Sequence, residues 1–418
     1  MDTHSEDLFR KLSPSESFTL PRYDGYSTVN LTSTLLQIFG AQTLPSSPLH
    51  IGLVPDGVLD GVKNVVYLVV DALGYRQLKS YVSSGAMPNV EQFIKKASGG
   101  AGAFFPLTTV FPSTTAAALT SIYTGLIPLS HGLLSYSVYL PEINDVADLV
   151  FSRYFSDGAK IKNYDSFLHE RSAFQLLSEV GVRSVSVSDK AFQGSLLSAV
   201  HHRGSTFAGY SFPSTIPTLV SNEFHIHDRN FVTIYWPGVD SCAHKYGPMS
   251  DECKDEAYVV DTILGRIVDK LKMIKGSLDD TLFVLTADHG QVLNDESHAL
   301  QLNSYPELLS MLRVPPSGER RSLYLYPKEG YEEAVIRFAE EKGARVMSRE
   351  EALKSGLYGS GPAKPSHLER IGELIVLPPG TAQWIYDPEN GHPVRFFKGA
   401  HGGVHSDEMI VPCLLVRC

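Results

Sequence analysis

Aspartate and histidine side chains in this sequence stand just after runs of apolar, β-branched residues, and just before the last such run. The six residues in these places are Asp71, Asp240, His244, Asp288, His289 and His401. Carboxylate oxygens and imidazole nitrogens are the usual ligands of catalytic Zn²⁺, and such a set is large enough for two ions that each keep an open position for substrate. The sequence therefore predicts a centre of two divalent metal ions, with Zn²⁺ as the expected metal.

Each of these residues also has a simpler interpretation when it is taken alone. An aspartate after a strand often caps the following helix, and a lone histidine often has a structural role. Two pairs favour ligands more strongly. Asp288 and His289 are adjacent and precede Gly290, and Asp240 and His244 are four residues apart, a spacing that brings side chains together on a helix or a tight turn.

A hydroxyl group that could attack a substrate lies in the stretch 97–141, which contains no Asp, Glu, Lys or Arg. Within this stretch, the sequence pattern of residues 111–125 predicts a loop, followed by a helix that begins near Thr114 or Thr115 and runs toward Gly125. At a helix N-terminus, backbone N–H groups and the positive end of the dipole stabilise anions, including an alkoxide or a phosphoryl oxygen. Threonine is also an ordinary N-cap residue, so this pattern by itself leaves both interpretations open.

The elements that must position these groups alternate between strands and helices. The strand-like runs are 64–70, 182–187, 230–236, 281–286 and 409–416, and the clearest helix is 250–275. This alternation predicts an α/β fold, a doubly wound, mostly parallel sheet flanked by helices, in which sites form at the carboxyl ends of the strands. The predicted domains are an irregular N-terminal arm (1–60), a metal-binding catalytic core (61–300), an inserted smaller α+β cap (301–395), and a final core strand with one metal ligand (396–418).

Composition limits the partners. The chain has 418 residues, 43% of them hydrophobic and 20% charged, with a net charge of −10. A negative protein does not capture nucleic-acid backbones or anionic membranes broadly, so an anionic substrate needs a local cation. We expect no stable nucleic-acid partner and no membrane contact. The oligomeric state stays open.

The expected location rests on two features. The N-terminal residues lack the apolar stretch of roughly 7–15 residues that a secretory signal needs. The four cysteines have neither CxxC spacing nor the pattern of a disulfide framework. Both features favour a reducing compartment, and the predicted location is cytoplasmic.

Five ordered motifs give the chain a resemblance to a known family. They are VVYLVVDALG (65–74), TAAALTSIYTGLIPLSHG (115–132), VDSCAHKYGP (239–248), TADHG (286–290) and HGGVHSDEMIVPCLL (401–415). Together they resemble the alkaline phosphatase superfamily, and most closely its type I phosphodiesterase/nucleotide pyrophosphatase branch. The resemblance implies a hydrolase with two metal ions, usually Zn²⁺, in which a serine or threonine forms a covalent phospho-enzyme.

The resemblance also implies roles for individual residues. Its two ligand groups would be Asp71, Thr115, Asp288 and His289 around one metal, and Asp240, His244 and His401 around the other. The family places its nucleophile ten residues before the glycine that closes the helix, which points to Thr115, with Thr114 as the nearest competitor. The HGG element points to His401 rather than His405 as the last ligand.

The function that the resemblance implies is hydrolysis of phosphodiester or pyrophosphate bonds in nucleotide-like substrates through a phosphorylated Thr115. The expected partner is therefore a small-molecule phosphoester such as a nucleotide. The alternatives are a phosphomonoesterase or phosphonate hydrolase of the same superfamily, or a catalytically silent protein that binds metal and recognises a ligand. Phe111 and Tyr246 are candidates for stacking on a base, although each also fits a role in the core.

Overall fold

The structure is a computed structural model of the chain and describes residues 3–41, 45–162, 169–224, 227–388 and 396–418. The strands, in chain order, are β1 (Asn64–Val70), β2 (Gly102–Thr108), β3 (Ser137–Leu140), β4 (Asp145–Asp148), β5 (Arg153–Tyr154), β6 (Arg183–Asp189), β7 (Thr206–Tyr210), β8 (Asn230–Trp236), β9 (Thr281–Thr286), β10 (Val292–Leu293), β11 (Leu300–Gln301), β12 (Ser317–Glu319), β13 (Ser322–Leu325), β14 (Arg345–Ser348), β15 (Leu374–Leu377), β16 (Trp384–Ile385), β17 (Gly399–Ala400) and β18 (Ile410–Arg417). The α-helices are α1 (Thr3–Leu12), α2 (Thr28–Ile38), α3 (Tyr75–Ser83), α4 (Pro88–Lys96), α5 (Thr115–Thr124), α6 (Pro128–His131), α7 (Ala173–Glu179), α8 (Leu196–His201), α9 (Ile216–Glu223), α10 (Gly238–Tyr246), α11 (Asp251–Lys275), α12 (Pro306–Met311), α13 (Glu332–Glu341), α14 (Arg349–Lys354), α15 (Pro365–Arg370) and α16 (Ser406–Met409).

The central sheet has seven strands in the order β2-β18-β9-β1-β8-β6-β7. Its middle strands are the apolar runs of the sequence, and β1, β8 and β9 are buried along their whole length, as expected for strands covered on both faces. The pairs β1–β8, β1–β9, β6–β8 and β6–β7 are parallel, whereas β18 is antiparallel to both of its neighbours. The predicted mostly parallel α/β fold is therefore confirmed.

Strand register brings the chemically interesting segments to one edge of this sheet. Val70 at the end of β1 pairs with Trp236 at the end of β8, and Val69 pairs with Thr286 at the end of β9. Parallel strands that end in register deliver the residues after them to the same place. The side chains that follow β1, β8 and β9 therefore start out as neighbours.

A second, seven-stranded sheet has the order β14-β15-β13-β12-β3-β4-β5. Four of its strands lie in the region predicted as the cap, but β3, β4 and β5 lie between residues 137 and 154, inside the predicted core. The smaller layer is thus assembled from two separate segments, since β12 pairs with β3. The predicted cap boundary at residue 395 lies outside the described residues.

The N-terminal region differs from the expected irregular arm. It contains α1 and α2, and most of α2 is buried. The Thr32 hydroxyl of α2 donates to the Ile122 carbonyl of α5 over 2.8 Å, so α2 supports the helix that carries the predicted nucleophile. The apolar periodicity that predicts a helix is weak in α2, because many of its buried residues are Ser, Thr or Asn. The sequence therefore did not predict this helix.

The predicted helix over 250–275 is confirmed as α11, with Ser250 as its N-cap accepting a hydrogen bond from the Cys253 amide. Across the parts of the chain that the structure describes, none of the helices combines the length and the apolar character needed to cross a lipid bilayer.

Candidate active site

Thr115 is the first residue of α5 and lies on the wall of a cavity. Thr114 holds the N-cap position with extended backbone angles, but its side chain makes no capping hydrogen bond to the helix as described. Gly125 ends the helix in the left-handed conformation (φ 67°), as the sequence predicted. The Thr115 hydroxyl lies 3.2 Å from Nε2 of His289, so the predicted nucleophile and a predicted ligand are in contact.

Asp71, Asp288 and His289 form a buried group at the ends of β1 and β9. His289 Nε2 lies 3.4 Å from Asp71 Oδ1 and 3.6 Å from Asp288 Oδ2. These two carboxylate oxygens are buried and find no hydrogen-bond partner among the residues that the structure describes. Because an unpaired buried carboxylate oxygen is costly, this arrangement is typical of a cation site.

Asp240, His244 and His401 form a second group beside the first. Asp240 Oδ1 lies 3.3 Å from His244 Nε2 and 3.7 Å from His401 Nε2. The rings of His289 and His401 are stacked, with centroids 4.0 Å apart. Potential ligand atoms of Asp240, His289 and His401 lie within 4.8 Å of one another, as do those of Asp71, Asp288 and His289. His289 therefore stands between the two groups.

The three histidines are oriented in the same way. Nδ1 of His244 donates to the Gly399 carbonyl over 2.8 Å, Nδ1 of His289 to the Gly290 carbonyl over 3.0 Å, and Nδ1 of His401 to the Ser113 carbonyl over 3.1 Å. A neutral imidazole that donates through Nδ1 presents the lone pair of Nε2, and metal-binding histidines are commonly fixed in this way.

The electrostatics of the site call for positive charge. Burial raises the pKa of Asp71 well above its usual value, and the nearby carboxylates Asp288 and Asp240 raise it further. Burial also raises the pKa of Asp288, and it lowers the pKa of His401 well below its usual value. The Nε2 lone pair of each histidine faces a carboxylate oxygen, so two hydrogen-bond acceptors lie opposite each other. A divalent cation between them would satisfy both, so this set of donors fits the predicted metal centre.

Two residues that the sequence did not single out hold the carboxylates in place. The Tyr235 hydroxyl, from β8, donates to Asp71 Oδ2, and the Gln291 amide donates to Asp240 Oδ1. Tyr235 lies in the buried strand β8, and its hydroxyl group was the feature of this side chain that could have indicated a polar role. Gln291 follows the Asp-His-Gly motif directly, and its proximity to Asp240 depends on the tertiary fold.

A cavity of about 560 Å³ opens in front of this centre. Thr115, Asp240, His244 and His401 lie on its wall, and the smaller sheet and the loop after β16 supply much of the rest. Six aromatic residues line it: Tyr136, Phe151, Phe155, Trp384, Tyr386 and Phe397. They come from separate segments of the chain, between residues 136 and 155 and between residues 384 and 397, so the local sequence does not reveal that they meet at the cavity.

The two aromatic residues predicted to stack on a base lie elsewhere. Phe111 is fully buried, with its ring edge-on to Tyr358 at a centroid distance of 5.3 Å. Tyr246 is the last residue of α10 and packs under the Lys245 ammonium, 4.9 Å away. Neither residue lines the catalytic cavity as described. The cis bond Phe111-Pro112 and its neighbours build the approach to α5 instead.

The family model for type I phosphodiesterase/nucleotide pyrophosphatase matches residues 65–404, which include all six predicted Asp and His ligands and Thr115. The chain belongs to this family. Membership agrees with the resemblance carried by the five motifs. The match also covers the smaller sheet and every strand of the central sheet except β18, which follows residue 404.

Curated relatives of this phosphodiesterase family member are ectonucleotide enzymes. Ectonucleotide pyrophosphatase/phosphodiesterase family member 7 of Rattus norvegicus is 31% identical over 195 residues, which are 44% of this chain and 40% of that protein. The bis(5'-adenosyl)-triphosphatase ENPP4 of Homo sapiens is 25% identical over 244 residues, which are 57% of this chain and 50% of that protein. The matched region thus spans about half the length of these relatives.

Solved structures share the fold. Murine ectonucleotide pyrophosphatase/phosphodiesterase 5 superposes with a TM-score of 0.63 at 18% identity, covering 84% of this chain and 87% of that one. Phosphonoacetate hydrolase from Sinorhizobium meliloti 1021 superposes with a TM-score of 0.60 at 18% identity, covering 85% and 90%. At such identities the likeness establishes architecture and leaves the substrate open.

These relatives correct one prediction. The names of the ectonucleotide pyrophosphatases place them among enzymes of extracellular nucleotides, which contradicts the predicted cytoplasmic location. That prediction is wrong because it rested on unpaired cysteines and on the composition of the first residues, and neither feature decides where a protein of this family works.

Proposed function

We propose that this chain is a metal-dependent hydrolase that cleaves phosphodiester or pyrophosphate bonds of nucleotide-like substrates, with Thr115 as the nucleophile. One observation carries the proposal. The Thr115 hydroxyl, at the start of α5, contacts a buried cluster of carboxylates and imidazoles whose acceptor atoms face one another. Few arrangements other than a cation centre explain such a cluster.

The residues that would hold the ions follow from the two groups. Asp71, Asp288 and His289, with Thr115 itself, would hold one ion, and Asp240, His244 and His401 the other, with Zn²⁺ as the expected metal. Two bound divalent ions supply positive charge that lowers the pKa of a hydroxyl and stabilises charge on attacking and leaving oxygens. Tyr235 and Gln291 orient the carboxylates from behind, which fixes the charges before substrate arrives.

Thr115 then acts in two steps. Its hydroxyl releases its proton to the solvent in the cavity, and the oxygen attacks phosphorus in line with the bond to the leaving group. The bond between Thr115 Oγ1 and phosphorus forms, and the leaving group departs with the electron pair of the broken P–O bond. Water hydrolyses the phosphorylated threonine in the second step and restores the hydroxyl. The N-terminus of α5 directs backbone N–H groups and a positive dipole end toward the same place.

Relatives support both the residue and the substrate class. One solved structure with the same fold, at 17% identity and a TM-score of 0.64, is an inactive threonine-to-alanine variant of murine ectonucleotide pyrophosphatase/phosphodiesterase 5 in complex with AMP. The name of ENPP4 describes a bis(5'-adenosyl)-triphosphatase. In both cases the molecule concerned contains an adenosine nucleotide, which favours nucleotides over unrelated phosphoesters here.

Replacing the nucleophile tests the proposal. Thr115→Ala is expected to abolish covalent phosphorylation and to lower kcat by at least about 10³-fold, because the attacking group is lost, while metal content stays near that of the wild type. Turnover of bis-p-nitrophenyl phosphate and of a nucleotide, together with metal analysis by mass spectrometry, measures both effects. Thr114→Ala is the matched control, since it removes the neighbouring hydroxyl from the N-cap.

Three outcomes would contradict the proposal. Full activity in Thr115→Ala would remove the nucleophile. Preference for p-nitrophenyl phosphate or for phosphonoacetate over diesters and nucleotides would favour the monoesterase or phosphonatase alternative. Metal bound without turnover of any of these compounds would indicate a silent recognition protein.

A further inference from the structure

Arg320 lies on the wall of the catalytic cavity, in the turn between β12 and β13. That hairpin is fastened to the loop that carries His401, because the Ser322 hydroxyl donates to the Gly402 carbonyl over 2.6 Å. The position of Arg320 is therefore fixed relative to the predicted metal ligands.

The surroundings of Arg320 prepare its guanidinium to bind an anion. The guanidinium stacks over the ring of Phe397, 3.9 Å from the centroid, and Nη1 donates to Gln383 Oε1 over 3.4 Å. Burial lowers the pKa of Arg320 from its usual value, and its positive charge helps to lower the pKa of His401. A cation held on an aromatic face and partly removed from water interacts strongly with a nearby anion.

Charge balance points the same way. The protein carries a net charge of −10, so an anionic substrate depends on local cations. The cavity offers Arg153 and Arg320. Glu319, next to Arg320, also lines the cavity. Its carboxylate is partly occupied by protein groups, because it accepts the Tyr136 amide and lies 3.4 Å from the Ser135 hydroxyl.

Resting on the function proposed above, we propose that Arg320 binds an anionic oxygen of a phosphate in the leaving group. The substrates so favoured carry a pyrophosphate linkage, as nucleoside polyphosphates do. In the first step the bond between the attacked phosphorus and the bridging oxygen breaks, and the leaving group departs as pyrophosphate with that electron pair. The planar fork of a guanidinium matches two phosphate oxygens at once, which a diester with an uncharged leaving group does not offer.

Two substrates with the same nucleotidyl group and different leaving groups distinguish binding of the leaving group by Arg320 from the attack on phosphorus. The p-nitrophenyl ester of thymidine 5'-monophosphate and dTTP present the same nucleotidyl group, but only dTTP has a phosphorylated leaving group. Arg320→Gln is expected to lower kcat/KM for dTTP about tenfold or more, the usual effect of losing a hydrogen bond to a charged group, and to lower that for the ester less than about threefold. Arg320→Lys, which keeps the charge but loses the fork, should fall between.

Binding gives a readout that does not depend on turnover. The affinity of Arg320→Gln for the α,β-methylene analogue of dTTP, measured by calorimetry, should fall about tenfold, whereas the affinity for dTMP should not change. Arg313→Gln is the matched control, because Arg313 pairs with Glu373 on the exposed surface. If Arg320→Gln fails to fold, Arg320→Lys and Phe397→Leu carry the test, since the latter removes the ring under the guanidinium.

The outcomes distinguish the two proposals. Equal losses on the ester and on dTTP, or an unchanged affinity for the methylene analogue, would overturn the role of Arg320 and leave the hydrolase intact. A wild-type protein that hydrolyses neither compound with any divalent ion would overturn the proposed function itself.

Discussion

Asp71 and Asp288 place like charges side by side in a buried site, and this arrangement sets a conflict between function and stability. Both carboxylates are buried, and burial raises the pKa of each. In the protein without metal, these charges repel one another and lack water. The same proximity is what would make them bind a divalent cation tightly. The residues that give the site its chemistry therefore weaken the empty fold.

Asp288→Asn tests this conflict. The substitution removes one buried charge. It keeps a side-chain oxygen that can accept the hydrogen bonds which the Ala72 and His289 amides donate to Asp288 Oδ1. In the presence of a chelator, we expect the free energy of unfolding to rise by about 1 kcal/mol. With Zn²⁺ added, the stabilisation that metal gives to the wild type should be largely lost. Urea denaturation under both conditions measures the two changes.

Asp279→Asn is the control, because Asp279 is exposed and distant from the site. Two results would contradict this interpretation. Asp288→Asn would have a lower free energy of unfolding than the wild type in chelator, or Zn²⁺ would stabilise it as much as it stabilises the wild type.

At the scale of elements, helix α5 is held in place by two buried histidines. His131 Nε2 lies 3.0 Å from the Ser121 hydroxyl, and His201 Nε2 lies 2.8 Å from the Thr120 hydroxyl. Burial lowers the pKa of His131 to about 3 and the pKa of His201 well below its usual value. Both rings are therefore neutral in the folded protein, and the helix that carries Thr115 depends on neutral imidazoles.

A pH dependence of stability follows. For a histidine with a depressed pKa in the folded state, the unfolded chain binds more protons below pH about 6.5, so stability is complete above that pH and falls as the pH drops toward the folded value. For His131 the loss between pH 6.5 and pH 5 is about 2 kcal/mol. Chemical denaturation at pH 7 and pH 5 should show this loss, and His131→Asn and His201→Asn should each flatten it. A slope identical in all three proteins would rule out this origin.

The strands at the site could be predicted for a definite reason, and so could their carboxyl ends. Runs such as 64–70, 230–236 and 281–286 are buried on both faces, so nothing in their surroundings alters the apolar pattern, and the structure has the same bounds. Because these strands end in register, the residues just after them lie at the same edge of the sheet, and this too could be predicted. Arg320 and Tyr136 could not be found this way, because neither follows one of those strands. Arg320 lies in the turn between β12 and β13, and Tyr136 directly precedes β3.

At the scale of the whole molecule, one buried ion pair joins the smaller sheet to the segment before β18. Arg321 Nε and Nη2 donate to Glu408 Oε1 and Oε2 over 2.9 and 2.8 Å, and Glu408 also accepts the Gly403 amide over 2.9 Å. Both side chains are almost completely buried. The pair thus links the layer over the cavity to the loop of His401.

Glu408→Gln should therefore be costly. It leaves Arg321 as an uncompensated buried charge, and we expect a loss of about 3 kcal/mol in the free energy of unfolding, together with weaker metal binding through the displaced loop. Glu373→Gln provides the comparison, since its ion pair with Arg313 is exposed and should contribute less than about 1 kcal/mol. Similar losses in the two variants, measured by urea denaturation, would show that burial of the pair is not what matters.

The position of β18 has a consequence for biosynthesis. This strand, Ile410–Arg417, is inserted between β2 and β9 inside the central sheet, although the strands on either side are made more than a hundred residues earlier. While a ribosome is still translating this region, β2 and β9 lack the partner that joins them, and His401 has no fixed support. The central sheet of the nascent chain therefore stays incomplete, with β2 and β9 unjoined, until the residues of β18 have been made.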